Sequence, residues 1–213
     1  DRVSLSGVNS INWGRIVAQV SYYFVAAAAL GAPHRKVAFS VPTGNFGDIF
    51  AGHVARRMGL PIELLVIGSN QNDILPRTLE TGVYEMRGVM ATSSPSMDIQ
   101  ISSNFERYLF EASGGDADLV ARQMQMLAQG RRFELSEEQV AGVRRDFVAC
   151  AASEEEVAAT IRDTLASAGY VLDPHTACGV HAAKTALEGR VPDDTARVIL
   201  ATAHPAKFPD AME

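Results

Sequence analysis

The feature of this sequence that most constrains its fold is a strand–turn–helix–strand succession in the first third of the chain. Residues 36–41 (KVAFSV) form a short apolar and β-branched run, and the turn residues 42–47 follow it directly. Residues 48–58 have a helical apolar pattern, and residues 61–68 (PIELLVIG) form a second strand-like run. This order is typical of a parallel sheet with crossover helices, so the chain is predicted to be an α/β protein.

The rest of the pattern surrounds that unit with helices and adds a strand near the carboxy end. Residues 10–30 and most of residues 102–190 have helical patterns, and capping-box sequences begin at Ser136 and Ser153. Residues 196–202 (ARVILAT) form the last predicted strand. We therefore predict a three-layer α/β fold, in which a parallel or mixed sheet is flanked by helices and helix-rich segments.

Three helix starts carry hydroxyl side chains that suit an N-cap position. These predicted N-caps are Ser10, Ser102 and Thr176. His175, which precedes Thr176 in the run DPHT, is interpreted as a loop residue whose role stays open.

Composition and charge exclude several classes of partner. The net charge of −6 and the pI near 5.4 argue against a nucleic-acid partner, because binding phosphate backbones requires an excess of Lys and Arg. The longest apolar stretch, Tyr22–Leu30, is too short to span a bilayer, so no membrane partner is predicted. Cys150 and Cys178 are the only cysteines, which favours a reducing, cytoplasmic location. No metal site is predicted, because His34, His53 and His181 have no Cys or His partner at the spacing of metal ligands.

The strongest local signal is the turn 42–47 (PTGNFG) between a strand and a helix. Its two glycines, three residues apart, let the backbone turn tightly and direct successive N–H groups into one concavity. The helix that follows adds the positive end of its dipole, so an anion such as phosphate is favoured there. The turn is neither a Rossmann fingerprint nor a Walker loop. Spacing alone leaves an ordinary β–α turn as an equal alternative.

A second polar set follows the last predicted strand. Thr202, His204 and Lys207 leave the strand end in the run TAHPAKF. Ligands of open parallel sheets gather at the carboxyl ends of strands, so these side chains are candidates for the same crevice as the glycine turn. Taken alone, the run is better explained as a surface loop with solvated side chains.

Two pairs of polar residues have helical spacing that suits an anionic ligand. Asn12 and Arg15 lie three residues apart at a helix start, as do Asn104 and Arg107. An amide and a guanidinium on one helix face can hold a carboxylate or a phosphate. A solvated helix start is the equal alternative for the first pair and the favoured one for the second.

Seven stretches of the chain, in order, are residues 9–15 (NSINWGR), 41–49 (VPTGNFGDI), 72–73 (ND), 94–99 (SPSMDI), 102–107 (SSNFER), 173–176 (DPHT) and 202–208 (TAHPAKF). In this order they resemble motifs of the threonine synthases, specifically those of the bacterial and fungal branch. The resemblance runs from near Ser4 to Pro209, which is almost the whole chain.

The resemblance implies the tryptophan-synthase-β-like class of pyridoxal-phosphate (PLP) enzymes, also called fold type II. Residues 34–213 would form its large α/β domain, which carries the cofactor-phosphate loop, and residues 1–33 would be the tail of its smaller domain. Threonine synthases convert O-phospho-L-homoserine and water to L-threonine and phosphate, the last step of threonine biosynthesis. The resemblance thus implies part of a carbon–oxygen lyase that acts on a small phosphorylated substrate.

The resemblance also implies roles for individual residues. Backbone amides of the glycine turn would hold the cofactor phosphate, and a hydroxyl at the strand end would face the pyridine nitrogen. The implied cofactor-binding residues are Thr43, Gly44, Asn45, Phe46, Gly47 and Thr202. Candidates for the carboxylate or phosphate of the substrate are Asn12, Arg15, Asn104, Arg107 and Lys207.

One part of the family's pattern is missing from these residues. The family's Schiff-base lysine lies in an amino-terminal Phe-Lys-Asp-like motif, whereas Lys36, Lys184 and Lys207 are the only lysines here and none has that context. Because that lysine also moves protons, we predict that this chain contains no catalytic residue of its own and is inactive alone. The chain is interpreted as a carboxy-terminal fragment of a longer protein.

Two alternatives stay open at this stage. One is a related PLP-dependent phospholyase, which would give different products from the same substrate. The other is a non-catalytic α/β module that binds a phosphate metabolite without carbonyl chemistry. Neither alternative, nor the leading interpretation, fixes the oligomeric state.

Overall fold

The computed structural model of the chain describes Gly7 and residues 9–211. Residues 1–6, 8, 212 and 213 lie outside the described part, and with them the first residues of the predicted domain tail 1–33. The α-helices of the described part are α1 (Trp13–Ala29), α2 (Gly47–Arg57), α3 (Ile74–Thr81), α4 (Phe105–Ala112), α5 (Ala117–Gly130), α6 (Glu137–Asp146), α7 (Glu154–Ala168) and α8 (Pro174–Ala186). Its strands are β1 (Val37–Pro42), β2 (Ile62–Ser69), β3 (Val83–Glu85), β4 (Arg132–Glu134), β5 (Phe147–Ala151) and β6 (Ala196–Ile199). Short 3₁₀ turns cover Pro95–Met97, Pro205–Lys207 and Pro209–Ala211.

Four of these strands form one parallel sheet in the order β5-β2-β1-β6, and β3 and β4 form a separate antiparallel pair. Side chains of the central strands alternate between two helical layers. On one face, Phe39 and Leu65 are fully buried in the core that includes α1 and α2. On the other face, Ala38 and Val66 are buried against α8. The predicted three-layer α/β class with a parallel sheet is confirmed.

Helix α1 packs on α2 within the same core as the sheet. Its buried side chains are Ile16, Val20, Tyr23 and Ala27, which share one helix face. The Tyr23 hydroxyl donates to the carbonyl of Asp48 at 2.8 Å, which fixes α1 against the first turn of α2. The domain boundary after residue 33 stays a prediction. None of the described helices has the length and apolar character needed to cross a membrane.

Strand β5 lies in the region 102–190 that the sequence pattern predicts to be mostly helical. Its five residues, FVACA, pair in parallel with β2 at the edge of the sheet. Beyond Phe147 the strand is only half-buried, and its small side chains do not alternate between apolar and polar. Pairing with β2, rather than local pattern, makes this run extended.

Three helices begin at residues other than those predicted. The observed N-caps are Asn12 for α1, Asn104 for α4 and Asp173 for α8, in place of the predicted Ser10, Ser102 and Thr176. In α8, Pro174 takes the first helical position because its fixed φ suits that position. The side chain of Asp173 accepts hydrogen bonds from the backbone N–H groups of His175 and Thr176. The capping boxes predicted at Ser136 and Ser153 are both confirmed.

Gly52 of α2 offers a test of the contact between α1, α2 and the sheet. A Cβ at this position would lie 2.6 Å from Cε1 of Tyr23 and 3.0 Å from Cδ2 of Leu65. We expect Gly52→Ala to lower the free energy of unfolding by about 1–3 kcal/mol, because the added methyl group displaces a buried ring.

The matched control is Gly130→Ala, where an added Cβ meets nothing within 4 Å at the end of α5. This variant should be neutral or stabilising by less than about 1 kcal/mol. Urea titrations measure both variants. Equal effects of the two substitutions would contradict the packing explanation.

Candidate functional site

A cavity of about 720 Å³ lies at the carboxyl ends of β1 and β6, beside the amino end of α2. The predicted site residues on its wall are Thr43, Gly44, Asn45, Phe46, Gly47, Thr202 and Arg15. Strand β6 ends at Ile199 rather than at the predicted residue 202, so Thr202 lies in the irregular segment that follows it. The structure therefore brings the glycine loop and the strand-end hydroxyl to one cavity, while their roles toward a ligand stay predictions.

The loop after β1 presents a row of unpaired peptide N–H groups. Thr43 closes the strand by donating its N–H to the carbonyl of Gly68 at 2.7 Å. The next six N–H groups have no acceptor among the described residues; they belong to Gly44, Asn45, Phe46, Gly47, Asp48 and Ile49. Successive N–H groups in such a turn, at the positive end of a helix dipole, suit an anion.

Phe46 fixes the shape of this loop. It is the residue before α2 and has a left-handed backbone, with φ of 63°, which is uncommon outside glycine. Its ring is buried and lies 5.1 Å from the ring of Phe105 and 5.3 Å from the ring of Phe147, measured between centroids. Burial of the ring holds the backbone in this strained conformation, as is common at ligand sites.

The carbonyl groups of the same loop are bonded away from the cavity. Ser102 donates its hydroxyl to the carbonyl of Gly44. Asn104, which is fully buried, donates its backbone and side-chain N–H groups to the carbonyl of Asn45, each at 3.0 Å. A Cβ added to Gly44 would lie 3.0 Å from the carbonyl of Ser96, so the loop lies closely against this segment. These contacts set the orientation of the peptide groups.

Asp48 and Arg15 bring opposite charges to the cavity wall. Burial raises the pKa of Asp48 to about 6, although a hydrogen bond from Tyr23 and the charge of Arg15 act in the opposite direction. Burial, and then the neighbouring Asp48, raise the pKa of Tyr23 well above its ordinary value. A carboxylate beside the loop opposes anion binding when ionised, whereas Arg15 favours it.

Comparisons with known proteins identify the family. A family model described as "Threonine synthase, C-terminal" matches residues 176–213. The threonine synthase of Pseudomonas aeruginosa is 48% identical over 209 residues, which is 98% of this chain. The crystal structure of PLP-bound threonine synthase from Brucella melitensis matches 97% of the chain with a TM-score of 0.92 and 61% identity. Yeast threonine synthase matches 96% with a TM-score of 0.89 and 44% identity. This chain belongs to the threonine synthase family.

The match covers less than half of each threonine synthase. The chain spans 44% of the length of the P. aeruginosa protein, 44% of the B. melitensis chain and 43% of the yeast chain. It therefore corresponds to a carboxy-terminal portion of these relatives.

Several residues that the threonine synthase resemblance nominates for substrate lie outside the cavity wall. Asn12 caps α1, where its Oδ1 accepts from the N–H of Gly14 at 2.9 Å. Arg107 donates to the carbonyl of Ile11 at 2.9 Å. It lines a different, larger and open groove of about 1120 Å³. Lys207 is exposed in a 3₁₀ turn. We place the candidate site at the smaller cavity because the loop residues whose N–H groups have no described acceptor line it; the role of the outlying residues stays a prediction.

The cavity wall also contains residues that the sequence analysis did not assign to it. They include Asp48, Ser96, Met97 and His175. Ser96 and His175 lie far along the chain from the glycine loop, so no local pattern links them to it. The available signal was their membership in stretches that resemble threonine synthase motifs.

Asp48 gives a prediction for the pH dependence of stability. Because the folded state raises the pKa of this carboxyl from 3.8 to about 6, it binds the proton more tightly than the unfolded chain does. Stability is therefore lost as the pH rises from about 4 to about 6 and stays lower above that range. We expect Asp48→Asn to raise the free energy of unfolding by about 1–3 kcal/mol at pH 7 and to change it little near pH 4.

Urea titrations at a series of pH values measure this effect. Asp163→Asn, which alters an exposed carboxylate on α7, is the control and should leave the pH profile unchanged. A gain in Asp48→Asn that is the same at pH 4 and pH 7 would rule out ionisation as the cause.

Proposed function

We propose that the protein to which this chain belongs is a PLP-dependent threonine synthase. It is a carbon–oxygen lyase that converts O-phospho-L-homoserine and water to L-threonine and phosphate, the last step of threonine biosynthesis. The observation that carries the proposal is the row of unpaired N–H groups at the start of α2, in a chain whose relatives are threonine synthases. The PLP bound to the B. melitensis relative supports the choice of cofactor.

The cavity residues fit both ends of PLP. Six N–H groups without a described acceptor and a helix dipole suit a phosphate dianion. The loop that carries them is bonded to Ser102 and Asn104 and lies against Ser96. Thr202 lies on the same wall and offers a neutral hydroxyl to a pyridine nitrogen. When bound, PLP supplies the electron sink for carbanion chemistry at the substrate Cα.

In the proposed enzyme, this chain's own residues bind and orient the ligands. The amides from Gly44 to Asp48 hold the cofactor phosphate. The hydroxyl of Thr202 leaves the ring nitrogen unprotonated, which weakens the sink and suits elimination followed by replacement. Arg15 holds the carboxylate or phosphate of the substrate by charge. The further candidates for these substrate groups are Asn12, Asn104, Arg107 and Lys207.

The cofactor-anchoring lysine is proposed to come from another part of the protein. Lys36 pairs with Glu63 at 2.6 Å, and Lys184 is exposed on α8. Neither they nor Lys207 belong to the described cavity wall. Residues 1–213 by themselves are therefore expected to bind PLP weakly and to turn over no substrate.

Turnover of O-phospho-L-homoserine by the full-length protein tests the proposal. We expect equal amounts of phosphate and L-threonine with the full-length protein and neither product with residues 1–213 alone. Phosphate together with a different organic product would favour the related phospholyase. Phosphate or PLP binding without any turnover by the full-length protein would favour the non-catalytic binding module.

Gly44 tests whether the loop is the phosphate site. We expect Gly44→Ala to weaken PLP binding on the order of tenfold, because its Cβ would lie 3.0 Å from the Ser96 carbonyl and force the loop to shift. Gly88→Ala, at a position where an added Cβ meets nothing within 4 Å, is the control and should bind as the wild type does. Dissociation constants from absorbance titrations decide; unchanged binding in Gly44→Ala would refute the loop assignment.

A further inference from the structure

His175 is a buried side chain on the cavity wall for which the proposed chemistry has no role. Its ring lies between the side chain of Asp173, two residues away, and the backbone of Ser96, which is distant in the chain. Nδ1 is 3.1 Å from Oδ1 of Asp173, and Nε2 is 3.2 Å from the backbone nitrogen of Ser96. Only 3% of the residue is exposed, so solvent does not satisfy either nitrogen.

The two contacts together determine the protonation of the ring. The peptide N–H of Ser96 can only donate, so Nε2 of His175 must carry no proton. The carboxylate of Asp173 can only accept, so Nδ1 must carry one. Asp173 is held as a carboxylate: burial opposes this, but hydrogen bonds from His175 and Thr176 outweigh burial and lower its pKa. His175 is therefore a neutral imidazole in a single tautomer.

The rest of the environment holds the ring in place. Asp173 is the N-cap of α8, so its position is set by the helix. The ring of Phe208 covers the imidazole at 4.9 Å between centroids. His175 thus joins the start of α8 and the carboxy-terminal segment to the segment that contains Ser96.

Ser96 is the point at which this arrangement reaches the proposed phosphate loop. Its N–H is bonded to His175, and its carbonyl oxygen lies 3.0 Å from the position that a Cβ of Gly44 would occupy. The flanks of this segment are anchored independently, because Asn70 donates to Oδ1 of Asp98 at 2.8 Å and Thr92 donates to the same oxygen at 2.6 Å. Loss of His175 would therefore release the tip at Ser96 without unfolding the segment.

We propose that His175 is a positioning residue, which as a neutral hydrogen-bond acceptor holds Ser96 against Gly44 and so keeps the phosphate loop in its anion-binding shape. This inference rests on the proposed function, since it assigns the loop to the cofactor phosphate. His175 itself does not touch the reacting atoms. Its effect is on the affinity of the loop for PLP and for inorganic phosphate.

The test compares His175→Phe, which removes the acceptor, with His175→Gln, which keeps one, in the full-length protein. In His175→Phe we expect the Ser96 amide to exchange with solvent about tenfold faster and the Kd for PLP to rise about tenfold. His175→Gln should restore both quantities to within about threefold of the wild type. The imidazole nitrogen resonances of wild-type His175 should show the proton on Nδ1.

Val157→Ala is the matched control for a general loss of stability. It truncates a buried side chain of α7 that packs in the same small core as the start of α8. It should lower Tm but leave the Ser96 exchange rate and the Kd for PLP within about twofold of the wild type. Equal weakening of PLP binding in Val157→Ala and His175→Phe would overturn the positioning role.

The outcomes separate this inference from the proposed function. If the wild type binds PLP and His175→Phe binds it equally well, the inference fails while the proposed function stands. Failure of His175→Gln to restore Ser96 protection and binding also overturns the inference. If the full-length wild type binds neither PLP nor inorganic phosphate, the proposed function fails and this inference fails with it.

Discussion

The six consecutive peptide N–H groups at the start of α2 that have no acceptor among the described residues are the constraint on which the arrangement of this cavity depends. A buried N–H group without an acceptor costs about 1–3 kcal/mol, so a fold keeps several of them together only when other contacts prevent the loop from turning. Here the carbonyls of Gly44 and Asn45 are bonded to Ser102 and Asn104, and the ring of Phe46 is buried. The residues that carry these N–H groups all line the same cavity.

The contacts that hold the loop come from segments far apart in sequence. The segment at 102–104 bonds the loop carbonyls, and Ser96 lies against Gly44. His175, at the start of α8, fixes Ser96 in turn. The contacts of Ser102, Asn104 and His175 are hydrogen bonds, whereas Ser96 lies against Gly44 by close packing. Together these contacts hold the β–α turn in one conformation, which is the property that the proposed phosphate site requires.

Local pattern was sufficient where a segment's own side chains decide its structure. Helix α2 and the two strands that flank it begin and end within one residue of the predicted bounds, because apolar periodicity and turn residues mark their ends. Strand β5 was missed because its small residues carry no periodic signal and only pairing with β2 extends them. The predicted cap Thr176 was wrong because the carboxylate of Asp173 and the fixed φ of Pro174 begin α8 earlier.

The sequence by itself determined the α/β class, the glycine loop before a helix, and a set of motifs in the order found in threonine synthases. These properties follow from periodicity, turn chemistry and motif order, which are all local along the chain. Only the tertiary structure decided which polar residues share the cavity: it brought Arg15, Ser96, His175 and Thr202 to the loop and left Asn12 and Arg107 bonded elsewhere. The physical reason is that strand order and helix packing decide which residues meet at the carboxyl ends of the strands, and they join residues more than a hundred positions apart.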